Sequence, residues 1–237
     1  MLMFQDIKKK LHIFQNIYLK HKYFIKRKSY AMDSEDVASI KYLTKKNNGF
    51  YVDVGANHPI KFSNTHLMYK NNWSGINLDI NEFSIDLFNY MRPMDTNLHQ
   101  AVSNINGEIE IYFQKPFSFL NTTDLNHAKI YLNNDFKKKK IKCNTLNFIL
   151  SHSKYKEKEI DFLNIDVEGA ELNILKGLNF IIYRPKVICI EILGFNKNDR
   201  KKEIKIKKNE VYMFLLKNGY RKVWSNPHFM SHIFINN

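Results

Sequence analysis

Gly49-Phe50-Tyr51-Val52-Asp53-Val54-Gly55-Ala56-Asn57 is the stretch on which the reading of this chain turns. Residues of strand type run into Gly-Ala-Asn, and a helix-like segment follows, which is the pattern of the first strand of a nucleotide-binding α/β domain. Asp53 is an acid inside an otherwise apolar strand. A carboxylate in that setting must be paired or hydrogen-bonded, which makes it a candidate site residue. Gly55 lets the backbone turn sharply and lets a ligand approach where a Cβ would collide. One glycine stands where a dinucleotide fingerprint has three, so a pyrophosphate cradle is not expected. The next strand, Gly75-Ile76-Asn77-Leu78-Asp79, also ends in an acid, 24 positions after Gly55. That is close to the spacing of about 20 at which an acid meets a ribose, and it fits an adenosine ligand without a pyrophosphate.

Outward from these strands, apolar runs alternate with helical patterns. Residues 64–71 predict a helix before the second strand, and Phe83, Leu87 and Tyr90 predict one that Pro93 stops. Thr96–Val102 reads as a third strand, with Gly107–Phe113 paired to it through the Asn106-Gly107 turn. Lys137–Lys140 reads as a solvated strand edge. Thr145 caps a short helix to Leu150, and 160–165 and 186–192 are buried strands. Helices are expected over 169–180 and over 207–218, the latter ended by Gly219. A hairpin around Asn226-Pro227 closes the chain. Strands alternating with helices imply a mostly parallel sheet covered on both faces. Residues 116–130, with Phe117, Phe119, Leu120, Asn121, Thr122 and His127, are irregular and are expected to contact substrate.

Residues 1–46 read as an N-terminal helical extension to a domain spanning 47–237. Phe4, Ile7, Leu11, Phe14 and Tyr18 fall on one face of a basic amphipathic helix within residues 1–30. That helix can pack on the domain or on a sister subunit in a homo-oligomer, or lie on a membrane surface. A second helix is expected over 33–46, with Asp33 or Ser34 as cap and Glu35 and Asp36 at its positive end.

With 237 residues, 44% hydrophobic and 25% charged, the chain suits one globular domain with a sizeable core. The net charge of +14 favours anionic partners such as nucleic acid, nucleotide-linked sugars or an anionic membrane, although Lys-rich codon usage accounts for it equally well. Cys143 and Cys189 form no motif, so a reduced, cytoplasmic setting is expected, with residues 1–30 able to touch the inner membrane surface. No apolar run reaches the roughly 18 residues of a membrane span.

Asp53-Val54-Gly55-Ala56-Asn57, followed by Asp166-Val167-Glu168-Gly169-Ala170-Glu171 and Leu175-Lys176-Gly177, resembles the FkbM family of S-adenosylmethionine-dependent methyltransferases. The resemblance runs from about Gly49 to Glu191, and the second motif is its more specific part. His58-Pro59 and Ser63-Asn64-Thr65 resemble one branch of the family, in which Asn-Thr recurs at Leu120-Asn121-Thr122. One departure is Asp79-Ile80, where the family often has Glu-Pro. The resemblance implies a class I, Rossmann-like methyltransferase fold, to which the residues after it add the C-terminal antiparallel hairpin. It also implies S-adenosylmethionine as cofactor and methyl transfer to oxygen, with a sugar or nucleotide-sugar acceptor from surface-polysaccharide biosynthesis.

In such a sheet ligands sit at the carboxyl ends of the strands, where Asp53, Gly55, Asn57, Asp79, Gln100, Asp166 and Glu191 fall. Asp79 would hold the ribose hydroxyls. Gln100 and Ala101 are candidates for the adenine, and Asn64 and Thr65 for the cofactor carboxylate; Gln100, Asn64 and Thr65 read equally well as polar turn residues. A sugar hydroxyl is a weak nucleophile, and Asp166, Glu168 and His58 are the candidate bases, His58 reading equally well as a turn residue. A divalent metal on Asp166, Glu168 or Glu191 is the alternative device. Glu171, in a first helical turn, reads as a cap. Two other functions remain: a non-catalytic basic module binding nucleic acid or an anionic membrane, and a dehydrogenase or epimerase, which the missing glycines disfavour. Acids at the strand tips weigh against a polyanion groove.

Overall fold

The computed structural model describes residues 2–43, 47–114, 121–123, 125, 128–129, 132–133, 135–193 and 198–237. Its centre is a seven-stranded sheet built from β1 (Phe50–Val54), β2 (Ser74–Asp79), β3 (Thr96–His99), β8 (Phe162–Ile165), β9 (Val187–Glu191), β10 (Tyr220–Ser225) and β11 (Ser231–Asn236). The strand order is β10-β11-β9-β8-β1-β2-β3. The five strands from β9 to β3 run parallel, while β11 is antiparallel to both β9 and β10. β1, β8 and β9 are buried along their whole length, which is why they read as near-continuous apolar runs.

Around the sheet lie α1 (Leu2–Phe14), α2 (Glu35–Ile40), α3 (His66–Lys70), α4 (Glu82–Met91), α5 (Leu146–Ser151), α6 (Glu171–Lys176), α7 (Lys202–Ile206) and α8 (Glu210–Lys217). α1 runs on into a wider π-helical turn, Gln15–Lys20. The caps are local: Asn81 accepts from Phe83 N, Thr145 from Phe148 N, and Asn209 from Val211 N. The main core gathers Val52, Val54, Ile76, Leu78, Leu163, Ile165, Ile188 and Ile190 from the strands and Leu146, Leu175 and Leu215 from the helices.

A second sheet, ordered β4-β7-β5-β6, contains β4 (Ala101–Val102), β5 (Gly107–Phe113), β6 (Asn121–Thr122) and β7 (Lys137–Asn144). The expected third strand is therefore two strands in two sheets, broken at Gln100. β5 pairs antiparallel with β7, not with the strand before it. Asn106 explains the change: its Oδ1 accepts from Thr145 N at 2.9 Å, drawing the turn toward the end of β7. Lys137–Lys140 are exposed, as a solvated edge should be.

Three helices differ from expectation. The 169–180 helix is only Glu171–Lys176, since Gly177 sits where a Cβ would meet Ser103 O at 2.3 Å. The 207–218 helix begins at Glu210 because Asn209 caps it, and a separate turn of helix precedes it. Of the expected 33–46 helix the structure forms Glu35–Ile40, and residues 44–46 lie outside the described residues. Asp36 lies in the first turn of that helix as expected, its Oδ1 accepting from Val37 N at 2.8 Å, and it is also buried, accepting from Ser29 Oγ at 2.5 Å and Tyr30 N at 2.8 Å.

α1 packs by an unexpected stripe. Ile13 and Ile17 are the buried residues, against Tyr30, Ile60, Phe83 and Leu87, whereas Ile7, Leu11 and Phe14 of the expected face are exposed. Cys143 and Cys189 are buried free thiols. Among the described residues no helix is long and apolar enough to cross a membrane.

Candidate active site

Parallel pairing aligns the strand tips. Val54 stands opposite Leu78 and Ile165, and Ile165 opposite Ile190. The residues that follow, Gly55, Asp79, Asp166 and Glu191, therefore emerge side by side. They border a cleft of about 540 Å³. Gly55 turns with φ +76°, and a Cβ there would meet Asp166 O at 1.8 Å. The close packing of β1 against β8 thus requires this glycine before any ligand does.

Asp53 is fully buried on the cleft floor. Its Oδ2 accepts from Thr65 Oγ1 at 2.6 Å and its Oδ1 from Asn164 Nδ2 at 2.9 Å. Desolvation raises its pKa, with the bonds from Thr65 and Asn164 and the charge of Arg92 opposing. Asn164 Oδ1 in turn accepts from Asn64 Nδ2 at 2.9 Å. Thr65 Oγ1 also accepts from Arg92 Nη1 at 2.9 Å. Arg92 is fully buried and donates further to Tyr51 Oη, Pro59 O and Ser63 Oγ. Tyr51 donates to Asp95, which also accepts from Gly75 N at 3.0 Å. Arg92, Asp95 and Asn164 escaped the sequence reading, because each meets partners distant in the chain. The usable signal was an arginine at the end of an apolar helix, where a solvated one is the ordinary expectation.

One half of the cleft is lined by Gly55, Ala56, Asn57, Asp79, Ile80, Gln100, Ala101 and Val102. Asn57, at φ +53°, donates its backbone N–H to Asp79 Oδ2 at 2.7 Å, and Asn81 N donates to Oδ1 at 2.7 Å. Desolvation is the main cause that lifts Asp79 to about 6; the two backbone donors oppose it and Asp53 adds to it. Each oxygen keeps a second lone pair for a hydroxyl. The donor set fits an adenosine moiety: an acid at the tip of β2, and the apolar Val54, Leu78, Ile80, Ala101 and Val102 around it.

The other half, on the side of the β10–β11 hairpin, holds Asp33, Glu35, Asn226, His228, Met230 and Ser231, and the lining also includes Met32, Phe62, Asn121 and Thr123. Asn226 Nδ2 ties the hairpin to the N-terminal segment, donating to Asp33 Oδ2 at 2.9 Å and Glu35 Oε1 at 3.2 Å. The expected extension is thus a wall of the site. Of the expected substrate loop, Asn121 and Thr123 line the cleft; Phe117, Phe119, Leu120 and His127 lie outside the described residues.

Between the halves stand Asp166, Glu168 and Glu191, each with one carboxylate oxygen within 4.8 Å of the others. That is about twice a metal–oxygen distance, so one divalent ion could bridge them. Desolvation, then the charges of Glu168, Glu171 and Asp53, lift Asp166 to about 7. Asp166 still meets water in the open cleft, which screens the desolvation cost, and the crowding of carboxylates is the cause that survives. Glu191 is buried; desolvation and the charge of Asp166 lift it to about 9, so at neutral pH it is protonated and donates to Asp166. Glu171 accepts from Gly169 N at 2.9 Å, the capping part expected of it.

Two expected site residues are placed elsewhere. His58 does not line the cleft. Its Nδ1 accepts from Ile60 N and Lys61 N, both at 3.0 Å, and its Nε2 faces Asn16 Oδ1 at 2.8 Å. Desolvation, with help from nearby cations, pushes it down to about 2, and a ring so engaged holds a turn and accepts no substrate proton. Thr65 is fully buried and spent on Asp53 and Arg92, leaving Asn64 as the one of that pair on the lining.

The strand order, five parallel strands closed by an antiparallel hairpin with an acid at the tip of β2, defines a class I methyltransferase fold. Residues 53–222 match the model of the methyltransferase FkbM domain, and the chain belongs to that family. It is accordingly a methyltransferase, and its cofactor is S-adenosylmethionine. Similar solved structures include three methyltransferases. A precorrin-6y C5,15-methyltransferase from Geobacter metallireducens shares 10% identity over 89% of this chain and 92% of its own, with TM-score 0.40. A TehB-like S-adenosylmethionine-dependent methyltransferase from Corynebacterium glutamicum shares 9% over 97% of both chains, with TM-score 0.44. An O-methyltransferase from Bacillus cereus, in complex with S-adenosylhomocysteine, shares 9% over 97% of this chain and 91% of its own, with TM-score 0.40. No curated protein matches the chain.

Proposed function

We propose that the protein methylates a sugar hydroxyl, with the sugar ring in the half of the cleft bounded by Asp33, Glu35, Asn226 and Ser231. The observation that carries this reading is the lining itself. In a chain of net charge +14, the described lining residues hold seven acids and no Lys or Arg. A polyanion would be repelled there, which argues against the nucleic-acid alternative. A ligand dense in hydroxyls finds acceptors on every side, with Phe62, Met32 and Met230 as apolar surfaces. A nucleotide-linked acceptor would have to keep its diphosphate outside the described lining, so a polysaccharide precursor fits better.

S-adenosylmethionine, when bound, supplies a methyl group on a positively charged sulfur. Asp79 would hold the ribose hydroxyls, and Ala101 and Gln100 would border the adenine. Asp166 is the base: it stands at the junction of the halves, and the neighbouring carboxylates raise its pKa above the ordinary range toward neutrality, which suits proton transfer there. Protonated Glu191 orients it. Glu168 adds charge that attracts a cation or a sulfonium. The Asp166→Asn variant is expected to keep S-adenosylhomocysteine affinity while turnover on sugar acceptors falls by roughly 10²–10⁴-fold. Glu171→Gln should keep most turnover and lose about 1 kcal/mol of stability. EDTA distinguishes a metal-assisted variant, which would stop, from base catalysis, which would continue. Parent-level turnover by Asp166→Asn would rule out that carboxylate as the base and pass the role to Glu168.

A further inference from the structure

α1 is seated by Ile13 and Ile17, by a Lys9–Asp86 ion pair at 2.6 Å, and by the edge of His12 on Phe83. Turned about 100° from that stripe, Ile7, Leu11 and Phe14 stand 46%, 62% and 52% exposed. They lie within about 60° of one another on the helix. The aromatic side chains continue the patch past the helix. Tyr18 packs its ring against Phe14 at 5.0 Å and against Phe24 at 5.6 Å, and Phe24 is 73% exposed. Around these residues the chain is strongly basic: residues 1–28 contain eight Lys or Arg and one acid, Asp6. Lys20, Lys22, Lys26, Arg27 and Lys28 are all exposed.

Exposed aliphatic and aromatic side chains among cations, on an element fixed to a folded domain, are what an interfacial membrane anchor presents. We propose that this surface docks the protein onto the headgroup layer of an anionic phospholipid bilayer. Leu11, Phe14 and Phe24 would enter the headgroup–acyl boundary while the lysines meet the lipid phosphates and carboxylates. Charge chooses this occupant. A second copy packed face to face across a twofold axis would set the exposed Lys20, Lys22, Lys26, Arg27 and Lys28 against the same five cations of its partner, a like-charge contact that disfavours the pairing. A nucleic acid would match the lysines but leave the aliphatic and aromatic side chains in water. The same segment then runs directly into Met32 and Asp33 of the cleft wall.

The test is co-sedimentation of the full chain with vesicles of phosphatidylcholine alone, or of phosphatidylcholine mixed with phosphatidylserine. Binding is expected to the mixed vesicles only and to weaken as salt rises. Two double variants, Leu11→Gln with Phe24→Gln and Lys22→Gln with Lys26→Gln, should each lower vesicle affinity by roughly tenfold or more. Because all four positions are exposed, neither pair should change the melting temperature or S-adenosylhomocysteine binding. Failure to bind anionic vesicles, equal binding to neutral ones, or binding indifferent to either pair overturns the proposal. So does a dimer in light scattering that Leu11→Gln with Phe24→Gln dissolves without any vesicle binding. Duplex DNA binding that depends only on the lysines, with no vesicle binding, also overturns it.

Discussion

The carboxylate of Asp79 accepts two backbone N–H groups at 2.7 Å, one from the turn after β1 and one from the start of α4. It therefore joins the two loops that border the cofactor half before any cofactor arrives. Asp79→Ala should weaken S-adenosylhomocysteine binding by at least about 1.5 kcal/mol, the worth of a hydrogen bond to a charged group. With a pKa of about 6, the parent's affinity should decline as pH falls below that value, since the neutral acid is a poorer acceptor for ribose hydroxyls. The variant should show no such inflection. Calorimetric titration between pH 5 and 8 reads both, and a parent affinity level across that range would remove Asp79 from the ribose contact.

At the level of elements, the end of α4 is joined to β1, β2 and the turn before α3 by Arg92, whose partners lie 15 to 41 residues away along the chain. Arg92→Met should destabilise by about 3–5 kcal/mol in urea unfolding, because Asp95 and Asp53 would lose the buried cation beside them. Arg92→Lys should not restore the loss, since one ammonium cannot donate along both arms of a guanidinium. A melt unchanged in either variant would show that the network contributes little. The contrast with β1, β8 and β9 explains what could be read in advance. Those strands are buried on both faces, so burial writes itself into consecutive residues. The acids at their tips were legible for the same reason. Arg92 was not, because nothing within one helical turn marks its partners. His58 could be left only as either a base or a turn residue for a related cause: a histidine holding two backbone N–H groups and one exposed to substrate have the same neighbours in sequence. In α1, periodicity selected the longest apolar stripe, whereas contact with Phe83 and Leu87 selected Ile13 and Ile17.

Across the whole molecule, buried titratable groups set how stability depends on pH. Glu191 at about 9, Asp166 at about 7 and Asp79 at about 6 all sit above their ordinary values of 4.5, 3.8 and 3.8. The folded state therefore binds more protons at these sites than the unfolded chain, and their ionisation costs stability as pH rises. Three buried histidines act in the opposite sense. His58, His66 and His232, lowered by desolvation to about 2, 3 and 3, stay neutral when folded and charge when unfolded. Their effect opposes that of the carboxylates up to an unfolded histidine pKa of 6.5 and is exhausted above it. From pH 7 upward the carboxylates are unopposed, joined near pH 9 by the thiols of Cys143 and Cys189, which desolvation raises, and the melting temperature of the cofactor-free protein in EDTA should fall. Asp166 is screened by cleft water, so buried Glu191 should carry most of that slope. Glu191→Gln keeps a donor toward Asp166 and removes the ionisation, so its melting temperature should match the parent's only near pH 4, below the unfolded carboxylate's 4.5, and should exceed it increasingly up to pH 9. Scanning calorimetry across that range decides the matter. A parent whose melting temperature holds level from pH 7 to 9, or a Glu191→Gln variant with the parent's slope, would mean that the strand-tip carboxylates are not crowded as drawn. The shared proton between Asp166 and Glu191 would then have to be abandoned, and with it the reason Asp166 is poised near neutrality.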